Sequence, residues 1–227
     1  MAQSNAGSQA GEAEDGIGGA RLILASASPR RSDLLAAAGL TFEVEPSDVD
    51  ETLVGRPDAE PAARELALRK AAHVARGYAG SAAWVIGSDT VVALGEGADV
   101  RLLGKPEDAA EARAMLEALS GSRHRVVTGV CVIDASRWDP AAPEGAGCGL
   151  AHERTWVHMR PILPAEVEAY VASEEWRGKA GGYAIQENAD AFVTRLEEGG
   201  FDNVVGLPVA LTLELLRSAG ALDDSTL

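Results

Sequence analysis

Short apolar runs separate longer amphipathic segments in the first half of the chain. Residues 22–24 and residues 84–86 are apolar runs typical of buried strands. Between them, residues 58–76 carry apolar side chains at helical spacing, which predicts a long helix. Strands that alternate with helices in this way favour a sheet flanked by helices.

Strand patterns come in pairs in the second half of the chain. Residues 125–133 and 155–159 predict two strands, joined by a loop at 135–150 that is rich in Pro, Gly and Ala. The remaining predicted elements are strands at 41–44 and 191–196 and helices at 107–119, 164–172 and 207–216. Together these patterns predict a single α/β domain over residues 21–218, with a mixed sheet and flanking helices.

The two ends of the chain differ from this pattern. Residues 1–20 are mostly Gly, Ala, Ser and Glu, so we expect a disordered N-terminal tail that buries too little apolar surface to fold. Residues 219–227 are predicted to form a short C-terminal tail.

The charge, the lengths of the apolar runs and the cysteine content of the chain indicate its partners and its cellular compartment. A net charge of −15 over 227 residues repels polynucleotides and anionic membranes, so we expect neither as a partner. No apolar stretch is long enough to cross a bilayer. The two cysteines make no disulfide framework, and Cys131 lies in an apolar run that favours a buried, reduced thiol. These features favour a cytoplasmic protein.

The junction that follows the first predicted strand is a candidate anion site. Ser28 is placed to cap a helix, and Pro29 suits the first helical position because no amide donor is needed there. The free amides at this helix start would face the same space as Arg30 and Arg31, with Ser26 in the turn. An ordinary strand-to-helix junction with two solvated arginines is the alternative.

Asp89 is the strongest single candidate for a catalytic group. It follows the predicted strand at 84–86, so we expect its carboxylate to project from the carboxyl end of that strand. Ligands gather at this edge in open α/β sheets. If the strand at 22–24 is a neighbour, Asp89 and the two arginines meet at one pocket. The alternative is an Asx turn with no role in chemistry.

Several other polar residues are weaker candidates. Glu51 lies in an acidic stretch, Lys70 lies in the predicted long helix, and Lys105 stands between a glycine and a proline. Gln186 closes a glycine-rich segment that begins at Gly178. Each also has an ordinary surface explanation. The histidines and cysteines show no metal-ligand spacing.

Taken together and in order, these motifs resemble those of the Maf family of nucleoside triphosphate pyrophosphatases. The matching segments are LASASPRR at 24–31, GSDTVV at 87–92, GKP at 104–106, GKAGGYAIQ at 178–186 and VVGLPV at 204–209. The resemblance implies an ITPase-like α/β fold with a deep nucleotide cleft and dependence on a divalent cation, Mg²⁺ or Mn²⁺. It also implies cleavage between the α and β phosphates, which yields a nucleoside monophosphate and pyrophosphate.

The resemblance assigns roles by position. It makes Asp89 the proton acceptor and places Glu51 and Asp89 at the metal. The substrate-binding residues it implies are Ser26, Ser28, Arg30, Arg31, Lys70, Lys105, Thr90 and Gln186. Among these, Arg30, Thr90 and Gln186 match the specificity positions of the dTTP/UTP pyrophosphatase subgroup. We therefore expect dTTP, UTP and modified pyrimidine triphosphates as substrates. The resemblance is also compatible with a homodimer.

Two alternatives and two departures accompany this expectation. The same chemistry on 7-methyl-GTP or another nucleotide is one alternative, and a non-catalytic role in regulating cell division is the other. Gly182 stands where the family usually has alanine, which is a mild change. Residues 187–190 replace a stretch that usually contains glycine, and this change would reshape the base pocket.

Overall fold

The computed structural model describes residues 20–55 and 57–223, in which seven strands form one mixed sheet. The strands are β1 (Arg21–Leu24), β2 (Glu43–Val44), β3 (Ala83–Leu94), β4 (Arg101–Leu103), β5 (Arg123–Asp134), β6 (Cys148–Met159) and β7 (Val193–Glu198). The helices are α1 (Pro29–Ala37), α2 (Ala59–Ala75), α3 (Ala109–Leu119), α4 (Pro164–Ala172), α5 (Phe201–Val205) and α6 (Val209–Ser218). The predicted single α/β domain with a mixed sheet is confirmed.

The sheet changes from parallel to antiparallel at β3. Its strand order is β2-β1-β3-β5-β6-β7, and β4 pairs with the last part of β3. β1 runs parallel to both β2 and β3, whereas β5 is antiparallel to β3 and to β6. β3 is much longer than β1, since Ile86 already pairs with Leu24, the last residue of β1. The second half of β3 therefore borders an open space where β1 has ended.

Helix α2 packs unusually close to the middle of the sheet. A Cβ atom added at Gly129 would lie 2.2 Å from the carbonyl oxygen of Ala63, and one added at Gly87 would lie 2.4 Å from that of Ala67. Only glycine permits this approach between helix and strand backbones. The start of α2 is fixed as well, because Arg125 on β5 pairs with Asp58 at 2.7 Å.

Other helices complete the core. α6 covers the opposite face, where Leu207 and Leu216 pack with Leu22, Leu24 and Ile86 in one buried cluster. A second cluster joins α3 and α4 to β5 and β6, and its fully buried Trp176 donates a hydrogen bond to the carbonyl of Val171 at 3.0 Å. None of the helices in the described part of the chain is long and apolar enough to cross a membrane.

Several predicted boundaries are corrected by the structure. The strand predicted at 84–86 extends over Ala83–Leu94, so Asp89 lies inside a strand and forms no Asx turn after one. The strand predicted from 155 begins at Cys148, which shortens the predicted loop. Gly, Ser and Asp have low strand propensity, but a central position between two partner strands overrides it.

The ends of the chain are only partly covered. Residues 1–19 of the predicted N-terminal tail and residues 224–227 lie outside the described residues. Within the predicted C-terminal tail, Ala221 and Leu222 are buried in the cluster that holds α6. The packed domain therefore extends beyond residue 218.

Candidate active site

A cleft of about 390 Å³ opens where β1 ends and β3 continues. One wall is the turn from β1 into α1, another is α2, and a third is the segment 178–186. All ten residues predicted from the sequence line this cleft: Ser26, Ser28, Arg30, Arg31, Glu51, Lys70, Asp89, Thr90, Lys105 and Gln186. β1 and β3 are neighbours, as the hypothesis of one shared pocket required.

Asp89 reaches the cleft from within β3. Its partner across the sheet is Gly129 on β5, and its side chain is 8% exposed. It was expected to project from the end of its own strand, but it lies beyond the end of β1 instead. Because β3 is continuous there, the carboxylate is held by a ladder of backbone hydrogen bonds on a rigid element.

A chain of alternating charges crosses the floor of the cleft. The Lys70 ammonium donates a hydrogen bond to Asp89 and lies 2.8 Å from Glu51. Lys105 lies 3.0 Å from the other carboxylate oxygen of Glu51. Partial burial alone would raise the pKa of Glu51, but the hydrogen bonds from the two lysines outweigh it and hold that pKa at about 2. Glu51 is therefore ionised at neutral pH.

Lys70 can sit between two carboxylates because of the close packing of α2. Its side chain is only 8% exposed, and the helix that carries it rests against Gly87 at the turn of Ala67 and Ala71 and against Gly129 one turn earlier, at Ala63. A larger residue at either glycine would push α2 outward and withdraw the ammonium from Asp89. The two glycines thus act on the site through the position of the helix.

Arg31 ties three parts of the cleft together. Its guanidinium donates to the Ser26 hydroxyl at 3.1 Å, to the Gly206 carbonyl at 2.8 Å and to the Thr90 hydroxyl at 3.3 Å. Arg30 also lines the cleft, and it has no hydrogen bond or ion pair to another residue in the described part of the chain. Arg30 is consequently the more available of the two cations for an incoming anion.

The start of α1 differs from the predicted cap in one detail. Ser28 occupies the N-cap position and Pro29 follows at the start of the helix, but the Ser28 hydroxyl makes no capping hydrogen bond. The Ser28 amide instead donates to the Ser26 hydroxyl at 3.3 Å. Ser28 and the first turn of the helix line the cleft, so the free amides expected at a helix start suit an anion there.

The Thr90 hydroxyl is fixed by partners that the sequence did not indicate. It lies 3.0 Å from the hydroxyl of Thr128, which donates to the carbonyl of Asn203 at 2.7 Å. Ser88 donates to the carbonyl of Gly206 at 2.9 Å. The resemblance places Thr90 with Gln186 among the specificity positions, but the Thr90 hydroxyl bonds to Arg31 and Thr128 and makes no hydrogen bond to Gln186.

The segment 178–186 forms the wall opposite α1. Gln186 is exposed at the mouth of the cleft, whereas Tyr183 is buried and shares a hydrogen bond of 2.8 Å with His124. Burial, together with the nearby His158, lowers the pKa of His124 to about 3, so its ring is neutral at pH 7. The hydrogen bond between Tyr183 and His124 therefore anchors this wall to the core behind it.

Lys179 is a cleft residue that was not predicted from the sequence as a site residue. Its side chain is 8% exposed and lines the cleft, and its ammonium pairs with Glu187. Glu187 belongs to the stretch that departs from the family pattern. The signal available in the sequence was a lysine in a glycine-rich segment eight residues before an acid, which is too general to identify a pair.

The donor set suits a cation bound jointly by protein and substrate. Within the described residues, no group of three or more His, Cys, Asp or Glu side chains is placed to hold a metal ion. Glu51 and Asp89 nevertheless offer two carboxylates beside a cationic cleft. Mg²⁺ is commonly bound by one or two carboxylates together with phosphate oxygens, so this pair fits such an ion.

Comparisons with known proteins agree with the resemblance found in the motifs. The family model described as "Maf-like protein" matches residues 21–219. A protein of Rhodospirillum rubrum named "dTTP/UTP pyrophosphatase" is 45% identical over 88% of this chain and 88% of its own. Proteins of the same name from an Anaeromyxobacter species and from Moorella thermoacetica are 48% and 46% identical, each over 88% of this chain and over 90% and 95% of their own.

A solved structure gives a weaker likeness. A nucleoside-triphosphatase / dITP/XTP pyrophosphatase from Mycobacterium abscessus superposes with a TM-score of 0.35 at 15% identity, over 61% of this chain and 72% of that one. A score this low carries no argument about the site.

Proposed function

The chain belongs to the Maf family, and from this premise we propose that it is a nucleoside triphosphate pyrophosphatase acting on dTTP and UTP. The products are the nucleoside monophosphate and pyrophosphate. The observation that carries the proposal is the placement of Lys70 between two carboxylates, Asp89 and Glu51, at the floor of a cleft with cationic walls.

The charges of the cleft match the parts of a triphosphate. Arg30, Lys105 and the start of α1 surround space in which phosphate oxygens would be neutralised. This local concentration of cations exists on a protein whose net charge is −15. The acidic surface elsewhere disfavours polynucleotides, so the cleft selects a small anion.

Asp89 is the group proposed to accept the proton of the attacking water. Its carboxylate is held by the Lys70 ammonium, which fixes its orientation and leaves one of its two oxygens for a water molecule. As the water attacks the α-phosphorus, the bond to the bridging oxygen breaks and pyrophosphate leaves. Cations near the β and γ phosphates stabilise the charge that develops on this leaving group.

We propose that Glu51 and Asp89 hold a divalent cation, Mg²⁺ or Mn²⁺, in the working enzyme. Such an ion polarises a phosphoryl oxygen and neutralises charge on the substrate. Glu51 is suited to this task because it is ionised, and the two lysines that hold its two oxygens can donate to phosphate oxygens instead once substrate is bound.

The base is proposed to be recognised by Gln186. The amide of Gln186 donates through its NH₂ group and accepts through its oxygen, which matches the O4 and N3–H edge of uracil and thymine. Cytosine presents the opposite pattern, and because an amide can turn over to match it, discrimination against cytosine requires neighbours that fix the orientation of the Gln186 amide. Where the bound base covers this exposed amide, an unmatched polar edge costs about 1–3 kcal/mol, which corresponds to a preference of roughly tenfold to over a hundredfold.

A panel of nucleotides tests both parts of the proposal. Pyrophosphate and inorganic phosphate are measured with dTTP, UTP, CTP, GTP, ATP and 7-methyl-GTP, each with Mg²⁺ and with a chelator. We expect pyrophosphate release with kcat/KM highest for dTTP and UTP, and no turnover in the chelator. Release of inorganic phosphate alone would contradict cleavage between the α and β phosphates. A purine or 7-methyl-GTP at the head of the ranking would refute only the base assignment.

A further inference from the structure

The two cysteines of the chain lie next to each other outside the cleft. The Sγ atoms of Cys131 and Cys148 are 3.7 Å apart, although 17 positions separate the residues along the chain. Cys131 is fully buried on β5, and Cys148 is a partly exposed residue at the start of β6. Neither of them lines the proposed active site.

The strand register places both thiols on the same face of the sheet. Cys131 is opposite Leu150 and Cys148 is opposite Ile133, so the cysteines are diagonal neighbours on antiparallel strands. An S–S bond is about 2.0 Å long, and diagonal positions are wider than an unstrained disulfide prefers. Closing the bond therefore requires a small movement, which the strand end at Cys148, next to a loop, can supply. A bond closed in this way is readily reduced again.

We propose that Cys131 and Cys148 form a site of reversible oxidation, at which a hydroperoxide converts the two thiols into a disulfide between β5 and β6. The sulfur of Cys148 attacks one peroxide oxygen, the O–O bond breaks, and Cys148 becomes a sulfenic acid while water or an alcohol leaves. The sulfur of Cys131 then attacks this sulfenic sulfur, and its hydroxyl group leaves as a molecule of water with the thiol proton of Cys131. The two thiols lose two electrons and two protons, which the hydroperoxide takes up.

The environments of the two thiols assign these roles. Cys148 is reachable from solvent, and its hydrogen bond with Cys131 lowers its pKa, which favours the reactive thiolate. The same hydrogen bond, together with burial, raises the pKa of Cys131. Cys131 is therefore protected from direct attack but is adjacent to the sulfenic acid once that group forms.

The position of the pair connects it to the wall of the cleft. Cys131 packs in one cluster with Ala67 and Ala71, which flank Lys70 on α2. It is also opposite Gly87 on β3, two residues before Asp89. Any part of the movement on oxidation that β5 shares would reach the contact between Lys70 and Asp89 through this packing.

The test uses the full chain, reduced, desalted and then exposed to hydrogen peroxide without any nucleotide. Thiols are counted after unfolding, and the intact mass is measured without reductant. We expect loss of both thiols in a single chain, a mass lower by two hydrogens with no added oxygen, and full reversal by dithiothreitol. Because no nucleotide is used, this result is independent of the proposed function.

Single-cysteine variants check the order of events. In Cys148→Ala, we expect Cys131 to stay reduced because solvent does not reach it. In Cys131→Ala, we expect Cys148 to accumulate a sulfenic acid that dimedone traps, with thermal unfolding used to verify that the variant is folded. Oxygen added to Cys148 while Cys131 stays free in the unsubstituted protein would overturn the proposal. A disulfide found only between two chains would do so as well.

Discussion

Lys70 is the residue on which the charge balance of the site depends. Two carboxylates, Glu51 and Asp89, approach the same buried ammonium, and each would repel the other without it. A buried charge that loses its partner is strongly destabilising, whereas a neutral residue of the same shape is tolerated better. Substitutions in this group must therefore be chosen to keep size and to leave Lys70 one anionic partner.

Asp89→Asn meets this condition because Glu51 still pairs with Lys70. The amide keeps the shape of the carboxylate but cannot accept the proton of a water, so we expect kcat for dTTP to fall by about 10²–10⁴. Pyrophosphate release measures the loss, and circular dichroism checks the fold. Glu117→Gln on the exposed face of α3 is the control, with activity unchanged. An Asp89→Asn enzyme with most of its turnover would remove Asp89 from the mechanism.

Substitutions of Lys179 and of Glu187 are expected to change KM for the nucleotide in different directions. If the Lys179 ammonium binds the nucleotide, Lys179→Met removes a charge-assisted hydrogen bond of about 1.5–3 kcal/mol and raises KM roughly tenfold or more. Glu187→Gln frees the ammonium for the substrate, so KM stays constant or falls. Both are measured by initial rates with dTTP and UTP. An equal rise of KM in the two variants would mean that the pair only braces the segment.

Among the secondary-structure elements, α2 has the largest effect on the geometry of the site, because its close packing against the sheet sets the position of Lys70. Gly129→Ala would place a Cβ atom 2.2 Å from the Ala63 carbonyl oxygen, so the helix must move. We expect this overpacking to lower the free energy of unfolding by about 1–3 kcal/mol or more and to lower kcat as Lys70 withdraws. Urea denaturation measures the first effect. Gly77→Ala, where an added Cβ meets nothing within 4 Å, is the matched control.

The sequence predicted most elements because their apolar residues follow a regular period. It did not predict that β3 continues through Gly87, Ser88 and Asp89, since those residues are typical of turns and only the ladders to neighbouring strands keep them extended. The short β4 and α5 were missed for a related reason: each is too short to show a period.

The candidate site also has a part that could be predicted from the sequence and a part that could not. Residues at the start of α1 and around Asp89 belong to contiguous motifs, and the resemblance found them. The pairing of Lys179 with Glu187 depends on a turn in which Gly181 and Gly182 both have a φ of 70°, and no spacing rule indicates it. The partners of Thr90 come from Thr128 on β5 and Arg31 on α1, which only the folded chain brings together.

Across the molecule, positive side chains concentrate at the cleft, whereas the net charge of the protein as a whole is negative. The net charge is −15, yet arginines and lysines concentrate around one cleft, and many of the acids pair with surface cations. A local cationic field inside an acidic envelope attracts small anions to the cleft. The stability of the fold against acid depends on a different feature, a titratable side chain that is buried in its neutral form.

His124 gives the clearest prediction for that property. Its pKa is about 3 in the folded protein because of burial, against 6.5 for the free side chain, so the unfolded chain binds a proton that the folded one excludes. The contribution of neutral His124 to stability is complete above pH 6.5 and is lost progressively as the pH falls from there towards 3. Each unit of pH in this window costs up to about 1.4 kcal/mol.

Urea denaturation between pH 8 and pH 4 measures this dependence. His124→Gln keeps a hydrogen-bonding group beside Tyr183 but does not titrate, so we expect its curve of stability against pH to be flatter below pH 6.5, whatever its stability at pH 8. His73→Gln, at an exposed position on α2, should retain the dependence of the unsubstituted protein. Glu51 adds a separate loss only below pH 4.5, because its pKa of about 2 is depressed from 4.5. If His124→Gln loses stability between pH 6.5 and pH 5 as steeply as the unsubstituted protein, burial of neutral His124 is not the source of its acid sensitivity.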